Sequence, residues 1–359
     1  SMGTIDTIMS GRLSTEALAA ISVANNMIIP LIILVLGILM ALNPMTSHAI
    51  GAQQTDRVAQ YLRQGLYIAV FLTIPCFFLI PYAEPLMAII GVEDIIRPII
   101  LEYLLALRWG LLSLNLFLAL RFVNEGLFST DAIMYINVAA IPFNIALNYI
   151  FMYGYFGLPA MGAVGLGYAT SIVWTMMFVT IAIYTFTVKK YRDIPFLKGY
   201  GLPQFTIIKQ ILTLAIPMSL TLFMEVLLFA FVGLLIGSYA LEVIAAHQIA
   251  LNITAMIYMI PLGLSIAISA RVGYAHGQHN IDKCQLSSYV GVGLALIISS
   301  LSTILLFAFP EAISGIYTDE FTVIKQTLSL LAIAAIFLIV DSIQVIAAAA
   351  LRGMHDTFV

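Results

Sequence analysis

Charge is what this sequence lacks most. Of its 359 residues, 9% are Asp, Glu, Lys or Arg while 62% are hydrophobic, and the mean hydropathy is +1.05. A water-soluble domain of this length needs far more polar surface, so the composition excludes one. Cysteine is nearly absent. Cys76 and Cys284 lie far apart without CxxC spacing, which excludes a disulfide framework and a thiolate metal site and leaves two unpaired membrane thiols. The net charge is −3 and no basic cluster of nucleic-acid type occurs, so nucleic acid is a poor candidate as a partner. No GxSxG, HExxH or phosphate-loop spacing is found, so the chain has no enzyme motif and binds no ATP by itself. His247 and His276 lack the clustering that a metal site needs. The start of the chain has neither a basic leader nor a small-residue cleavage site.

Long hydrophobic runs are what the sequence has instead. Spans are expected at about 17–47, 60–82, 99–128, 132–153, 161–188, 210–237, 243–275, 284–310 and 326–351, with a short apolar remnant at 2–10. Each long span can cross a hydrocarbon core of about 30 Å. Turn chemistry separates them, as in "FGLPAMGAVG" and "KKYRDIPFLKGYGLP". The expected fold is all-α, a polytopic helical protein of the lipid bilayer. Orientation follows from the basic residues. One set of alternating loops holds Arg57, Arg63, Arg121, Lys189, Lys190, Arg192, Lys198, Lys209, Arg271, Lys283 and Arg352, against Arg12, Arg97 and Lys325 in the other. The richer set faces the cytoplasm. Glu84, Glu93, Asp94, Glu311, Asp319 and Glu320 fall in the poorer set.

The chain also repeats itself. A shift of 226 lays "EALAAISVANN" (16–26) on "EVIAAHQIALN" (242–252) and "GAQQTDR" (51–57) on "GQHNIDK" (277–283). Glu16/Glu242, Gly51/Gly277 and Asp56/Asp282 are coincidences that apolar composition does not supply. Completing both copies gives six helices each. The chain is then expected to be a fragment lacking most of helix 1 and helices 11–12, with two parallel six-helix repeats forming two lobes. The expected domains are an N-terminal lobe at 1–188, a cytoplasmic connector at 189–209 and a C-terminal lobe at 210–359.

Four charges are placed inside spans: Asp6, Arg108, Glu225 and Asp341. Each costs about 2.5–3.5 kcal/mol near a helix centre, so each needs a partner, a proton or a cavity. Asp341 shares a helix face with Phe337 and Gln344. A ring beside a carboxylate can help to hold a cation, although a lone Phe337 reads equally as packing. Asn144 and Asn148 also share a face, just after Pro142, and with Asp6 in the same half they suggest an ion or proton site. Thr170 is a weaker candidate because membrane threonines often bond their own helix. Arg108 pairs with a carboxylate or snorkels. Sixteen methionines, among them Met9, Met27, Met224, Met256 and Met259, supply adaptable apolar surface, most of it core or lipid-facing.

"GTIDTIMSGRLSTEALAA", "PFNIALNYIFMYG", "IPMSLTLFMEVLLFAFVGLLIGSYALEVIAAHQIA" and "LRGMHDT", in that order, resemble the multidrug and toxic compound extrusion family, in its NorM-like bacterial branch. The resemblance implies two six-helix lobes around a central cavity and secondary antiport across the bacterial cytoplasmic (inner) membrane. Small organic cations, drugs and dyes among them, would leave in exchange for Na⁺ or H⁺, and no further cofactor is implied. A monomer is the family's expectation. Glu225 corresponds to the acidic residue of the seventh helix and Asp341 to the aspartate of the tenth, together a cation site with Na⁺ as its candidate metal. Asp6 corresponds to the first-helix aspartate and Asn144 and Asn148 to the polar pair of the fifth; Thr170 corresponds less securely. Phe337 stands where some relatives have a tyrosine. The runner-up reading is a flippase for lipid-linked oligosaccharides, which should line its cavity with several basic residues where this chain has Arg108 alone. An intramembrane enzyme would need acid/base or metal residues clustered near one interface, and a channel fits a two-copy repeat less well than alternating access does.

Overall fold

The structure is a computed structural model, and it describes residues 2–89, 91–157, 159–196, 202–236, 241–318 and 320–357. Lys198 and Asp319, counted above as loop charges, lie outside the described residues, as does Gly237. Among those described, thirteen α-helices and two short 3₁₀ turns are present and no strand. In order the helices are α1 (Met2–Gly11), α2 (Thr15–Met40), α3 (Leu42–Gly51), α4 (Thr55–Leu79), α5 (Ala83–Ile89), α6 (Arg97–Gly126) and α7 (Asp131–Tyr153). They continue with α8 (Gly162–Thr187), α9 (Phe205–Ile236), α10 (Leu241–Gly277), α11 (Ile281–Ala308), α12 (Pro310–Gly315) and α13 (Phe321–Gly353). An all-helical answer is what lipid dictates, because a helix satisfies its own backbone.

Nine segments among the described residues are long and apolar enough to cross a membrane, from Thr15–Gly51 to Phe321–Gly353. They coincide with the nine expected spans, and the remnant at 2–10 is α1. Local chemistry sets several ends. Ser14 caps α2 by accepting from Ala17 N at 3.0 Å, and Asn280 caps α11 by accepting from Lys283 N at 2.9 Å. Gly154 ends α7 in the left-handed region at φ 76°.

Backbone geometry reproduces the repeat. Gln53 and His279, 226 residues apart, both take positive φ, 59° and 55°. Their caps match bond for bond: Gln54 N→Ala49 O at 2.8 Å against Asn280 N→Ala275 O at 3.0 Å. A second correspondence, offset by 227, joins the ends of α6 and α13. Phe128 and His355 are both left-handed, and Ser129 N→Asn124 O matches Asp356 N→Leu351 O, each at 3.0 Å. Glu125 and Arg352 therefore stand at equivalent positions with opposite charge.

The chain separates into two compact units, Ser1–Leu42 with Thr55–Phe223 and Asn43–Gln54 with Met224–Val359. In the first, Ile21, Ile28, Ile100, Leu104, Leu107 and Leu166 build a continuous apolar core from α2, α6 and α8. Gly167 sets α8 close on α6: a Cβ there would lie 2.9 Å from the Tyr103 carbonyl oxygen. In the second, Ile268, Val272, Ala295, Ile346 and Ala350 join α10, α11 and α13, and Ile253, Leu306, Leu331 and Leu338 form a further cluster.

The count of charges inside spans needs correction. Arg63 lies within α4, Glu102, Arg121 and Glu125 within α6, Arg271 within α10, and Lys325 and Arg352 within α13. The helices run past their apolar centres into the polar margins, so loop and helix-end charges are not separable by hydropathy. Glu125 is buried and paired with Arg121 at 2.8 Å.

Candidate functional site

In the first unit three helices deliver polar side chains to one buried point. α1 supplies Asp6, α7 supplies Asn144 and Asn148 one turn apart, and α8 supplies Thr170, all no more than 4% exposed. Asn148 Nδ2 donates to Asp6 Oδ1 at 2.7 Å, and Thr170 Oγ1 donates to Asp6 Oδ2 at 2.9 Å. Behind them Asn148 Nδ2 also lies 3.4 Å from Asn144 Oδ1, and Asn144 Nδ2 lies 3.5 Å from Thr170 Oγ1. Thr170 therefore departs from the ordinary membrane threonine, which bonds its own helix as Thr73 and Thr185 do.

The donors on Asp6 are neutral. The ion pairs among the described residues are Arg97–Asp94 and Arg121–Glu125, neither of which involves it. A carboxylate offers about four acceptor positions, so two bonds leave capacity for a proton or a cation. Asn148 Oδ1 is buried without a hydrogen-bond partner and adds an oxygen at the same place. Tyr103 on α6, also buried, lies within the electrostatic reach of Asp6. One tyrosine among seventeen gave the sequence no means of selecting it.

In the second unit Glu225 on α9 and Asp341 on α13 are brought within electrostatic range of each other, both half-buried. Between them the structure adds two residues that the sequence did not select. The Tyr258 hydroxyl on α10 donates to Glu225, and Arg352, near the end of α13, acts on both Glu225 and Tyr258. Arg352 is eleven residues beyond Asp341, just over three whole turns, which places both on one face of α13. That spacing was a readable signal. Phe337 is 49% exposed one turn before Asp341, and the hydroxyl that its ring lacks is present on Tyr258. Two carboxylates, a phenol and a guanidinium in an apolar setting form a site whose net charge depends on proton or cation occupancy.

Of the methionines, Met224, Met256 and Met259 are exposed, whereas Met9 and Met27 pack on the first unit's core. Among the described residues Arg108 forms no ion pair with a carboxylate. Its guanidinium lies over the rings of Phe77 at 4.7 Å and Trp109 at 5.4 Å, an attraction that grows when desolvated. His276 belongs to a cluster of rings that the sequence did not show. Its ring meets those of His48 and His355, although among the described residues no group of His, Cys, Asp and Glu could hold a metal ion. Sequence separations of 228 and 79 residues hid that meeting.

The MatE family model matches residues 1–150 and 217–359. The multidrug resistance protein NorM of Aliivibrio fischeri is 36% identical over 355 residues, covering 99% of this chain and 77% of that protein. The probable multidrug resistance protein NorM of Pasteurella multocida is 38% identical over 358 residues, with the same coverage. Among solved structures, the eukaryotic MATE transporter AtDTX14 superposes with a TM-score of 0.88 at 18% identity, over 98% of this chain and 78% of that one. A MOP superfamily transporter from Pyrococcus furiosus gives 0.88 at 21% identity, over 99% and 79%. These last two bear on the fold alone. With the family match extending over most of the sequence, the chain belongs to the MatE family and is a multi-pass membrane transporter rather than an enzyme.

Proposed function

We propose that the protein is a secondary active antiporter that exports small organic cations, drugs and dyes among them, from the cytoplasm in exchange for Na⁺ or H⁺. The similarity to NorM proteins named for multidrug resistance supports the substrate class and a bacterial cytoplasmic (inner) membrane, where such export would confer antibiotic resistance. The observation that carries the reading is the pair of carboxylate sites, one per unit, held in apolar surroundings without a fully compensating charge. Asp6 is 2% exposed and bonded only by neutral groups. Glu225 and Asp341 bring two negative charges against the single guanidinium of Arg352.

A buried anion of this kind must be neutralised, by a proton, a metal cation or an organic cation. Antiport follows when these occupancies exclude one another. Glu225, Asp341 and Tyr258 form the proposed cation site of the C-terminal lobe, with Na⁺ or H⁺ as occupant. Asp6, Asn144, Asn148 and Thr170 form the proposed site of the N-terminal lobe. Lobes of 1–188 and 210–359, linked by 189–209, are the proposed moving parts of a monomer that alternates access across the bilayer and needs no ATP.

The test uses the protein in liposomes with a fluorescent organic cation, a Na⁺ gradient and a pH gradient being applied separately. Dye movement under one gradient, abolished in Glu225→Gln with folding retained, is the expected result and names the coupling ion. Unchanged efflux from Glu225→Gln refutes the assignment. No movement under either gradient returns weight to lipid-linked substrates.

A further inference from the structure

The sequence repeat meets itself inside the second unit. A Cβ at Gly51, the last residue of α3, would overlap the carbonyl oxygen of Tyr274; a Cβ at Gly277, the last residue of α10, would overlap that of His48. Gly51 and Gly277 are related by the 226-residue shift, and so are His48 and Tyr274. The two overlaps are therefore one contact seen from either side of a local pseudo-two-fold axis. At Gly353 a Cβ would lie 2.8 Å from the Ser269 carbonyl oxygen, which brings the end of α13 into the same junction. At Gly51 and Gly277 backbone rests directly on backbone.

Three imidazoles lie on this junction. The His48 ring is 5.1 Å from that of His276 and 4.7 Å from that of His355, and His276 and His355 are 6.0 Å apart. His355 Nε2 lies 3.4 Å from the Pro44 carbonyl oxygen, and its backbone is held left-handed at φ 61°. His276 Nδ1 is buried with no hydrogen-bond partner. The other titratable groups on the elements that meet here are Arg271 and Tyr274 on α10, Arg352 and Asp356 at the end of α13, His279 after α10, and Asp282 and Lys283 opening α11. Of all these, His276 is the one whose charge acts on His355.

We propose that His48, His276 and His355 form a pH-sensitive latch, which holds the ends of α3, α10 and α13 together while its rings are neutral and releases them when they take up protons. Neutral rings pack closely at these separations, whereas two imidazolium ions side by side repel in a site without a carboxylate acting on His355. Burial, and then the neighbouring His276, push the His355 imidazole below its ordinary 6.5, while the Pro44 carbonyl opposes the shift. A histidine depressed in the closed junction favours closure above its free value and gives that contribution up as pH falls through the depressed one. The latch is therefore shut at neutral pH and opens on acidification. This inference does not depend on the substrate or on the coupling ion.

The test is a distance measurement on the whole chain in lipid. Spin labels are placed at Gln54→Cys and Gln278→Cys, two exposed residues that line one cavity beside the junction, in a Cys76→Ser, Cys284→Ser background. Pulsed electron resonance should give a single short distance near pH 7.5 and a longer population that grows steadily as the pH falls to about 5.5. His276→Gln and His355→Gln, uncharged at either pH, should abolish the response. A distance that ignores pH in the otherwise unaltered chain overturns the proposal. So does a response that survives in the glutamine variants, and its loss in Glu225→Gln would then assign it to the carboxylates. Gel filtration identifies any variant that does not fold, and the parent comparison then decides.

Discussion

Thr170→Val tests the first-unit site with the least disturbance. Valine keeps the shape of threonine and removes the hydroxyl that donates to Asp6 Oδ2 at 2.9 Å. The hydroxyl's other contact is a 3.5 Å approach from Asn144, so little else is lost. A hydrogen bond to a charged group is worth about 1.5–3 kcal/mol, and each 1.4 kcal/mol is about a factor of ten. Because the bond favours the ionised carboxylate, its loss moves the balance between empty and proton-filled Asp6 about ten- to a hundredfold toward the filled form. The half-maximal pH of dye efflux should therefore rise by about one to two units. The assay is efflux from liposomes at a series of symmetric pH values, with thermal unfolding as a check on the fold. Asp6→Asn supplies the control. In that background Thr170→Val should no longer move the profile, since the group that it acts on is gone. A folded Thr170→Val protein with an unmoved profile, or one moved to lower pH, refutes the reasoning.

Two further predictions concern stability. Arg121→Met leaves the buried Glu125 without its 2.8 Å partner and should cost about 3–5 kcal/mol in denaturant titration, most of it recovered in Arg121→Met with Glu125→Leu; equal losses in the single and double variants would sink the idea. Gly277→Ala sets a Cβ against the His48 carbonyl oxygen and should lose about 1–3 kcal/mol or more, whereas Gly293→Ala, with nothing within 4 Å, should be neutral or slightly stabilising in the same melting experiment.

The nine spans, the all-α class and the repeat were legible because lipid enforces them. Apolar length and basic-loop alternation are properties of the string, and Gly51/Gly277 with Asp56/Asp282 stood out against a background where polar matches are costly. Asp6, Asn144, Asn148, Glu225 and Asp341 were legible for the same reason, since a polar group inside a span asks for an explanation. The others were not. Tyr258 and Tyr103 belong to a residue type that sits comfortably in cores and at interfaces, so no pattern separates the hydroxyl that meets Glu225 from the rest. Arg121 and Arg352 read as loop charges, and Glu125 drew no notice, because hydropathy does not mark where a helix stops being buried.

What the sequence by itself determined is therefore the membrane class, the span order, the duplication and that Asp6, Glu225 and Asp341 had to be accounted for. Each follows from the energy of placing one residue in hydrocarbon, a quantity that needs no knowledge of its neighbours. The tertiary structure alone decided the company that those residues keep. Asn148 and Thr170 converge on Asp6 across 142 and 164 residues of chain, and His355 reaches Pro44 across 311. Such meetings are set by how close two helices can approach, and that is fixed by glycines such as Gly51, Gly167 and Gly277 acting in pairs with distant backbone.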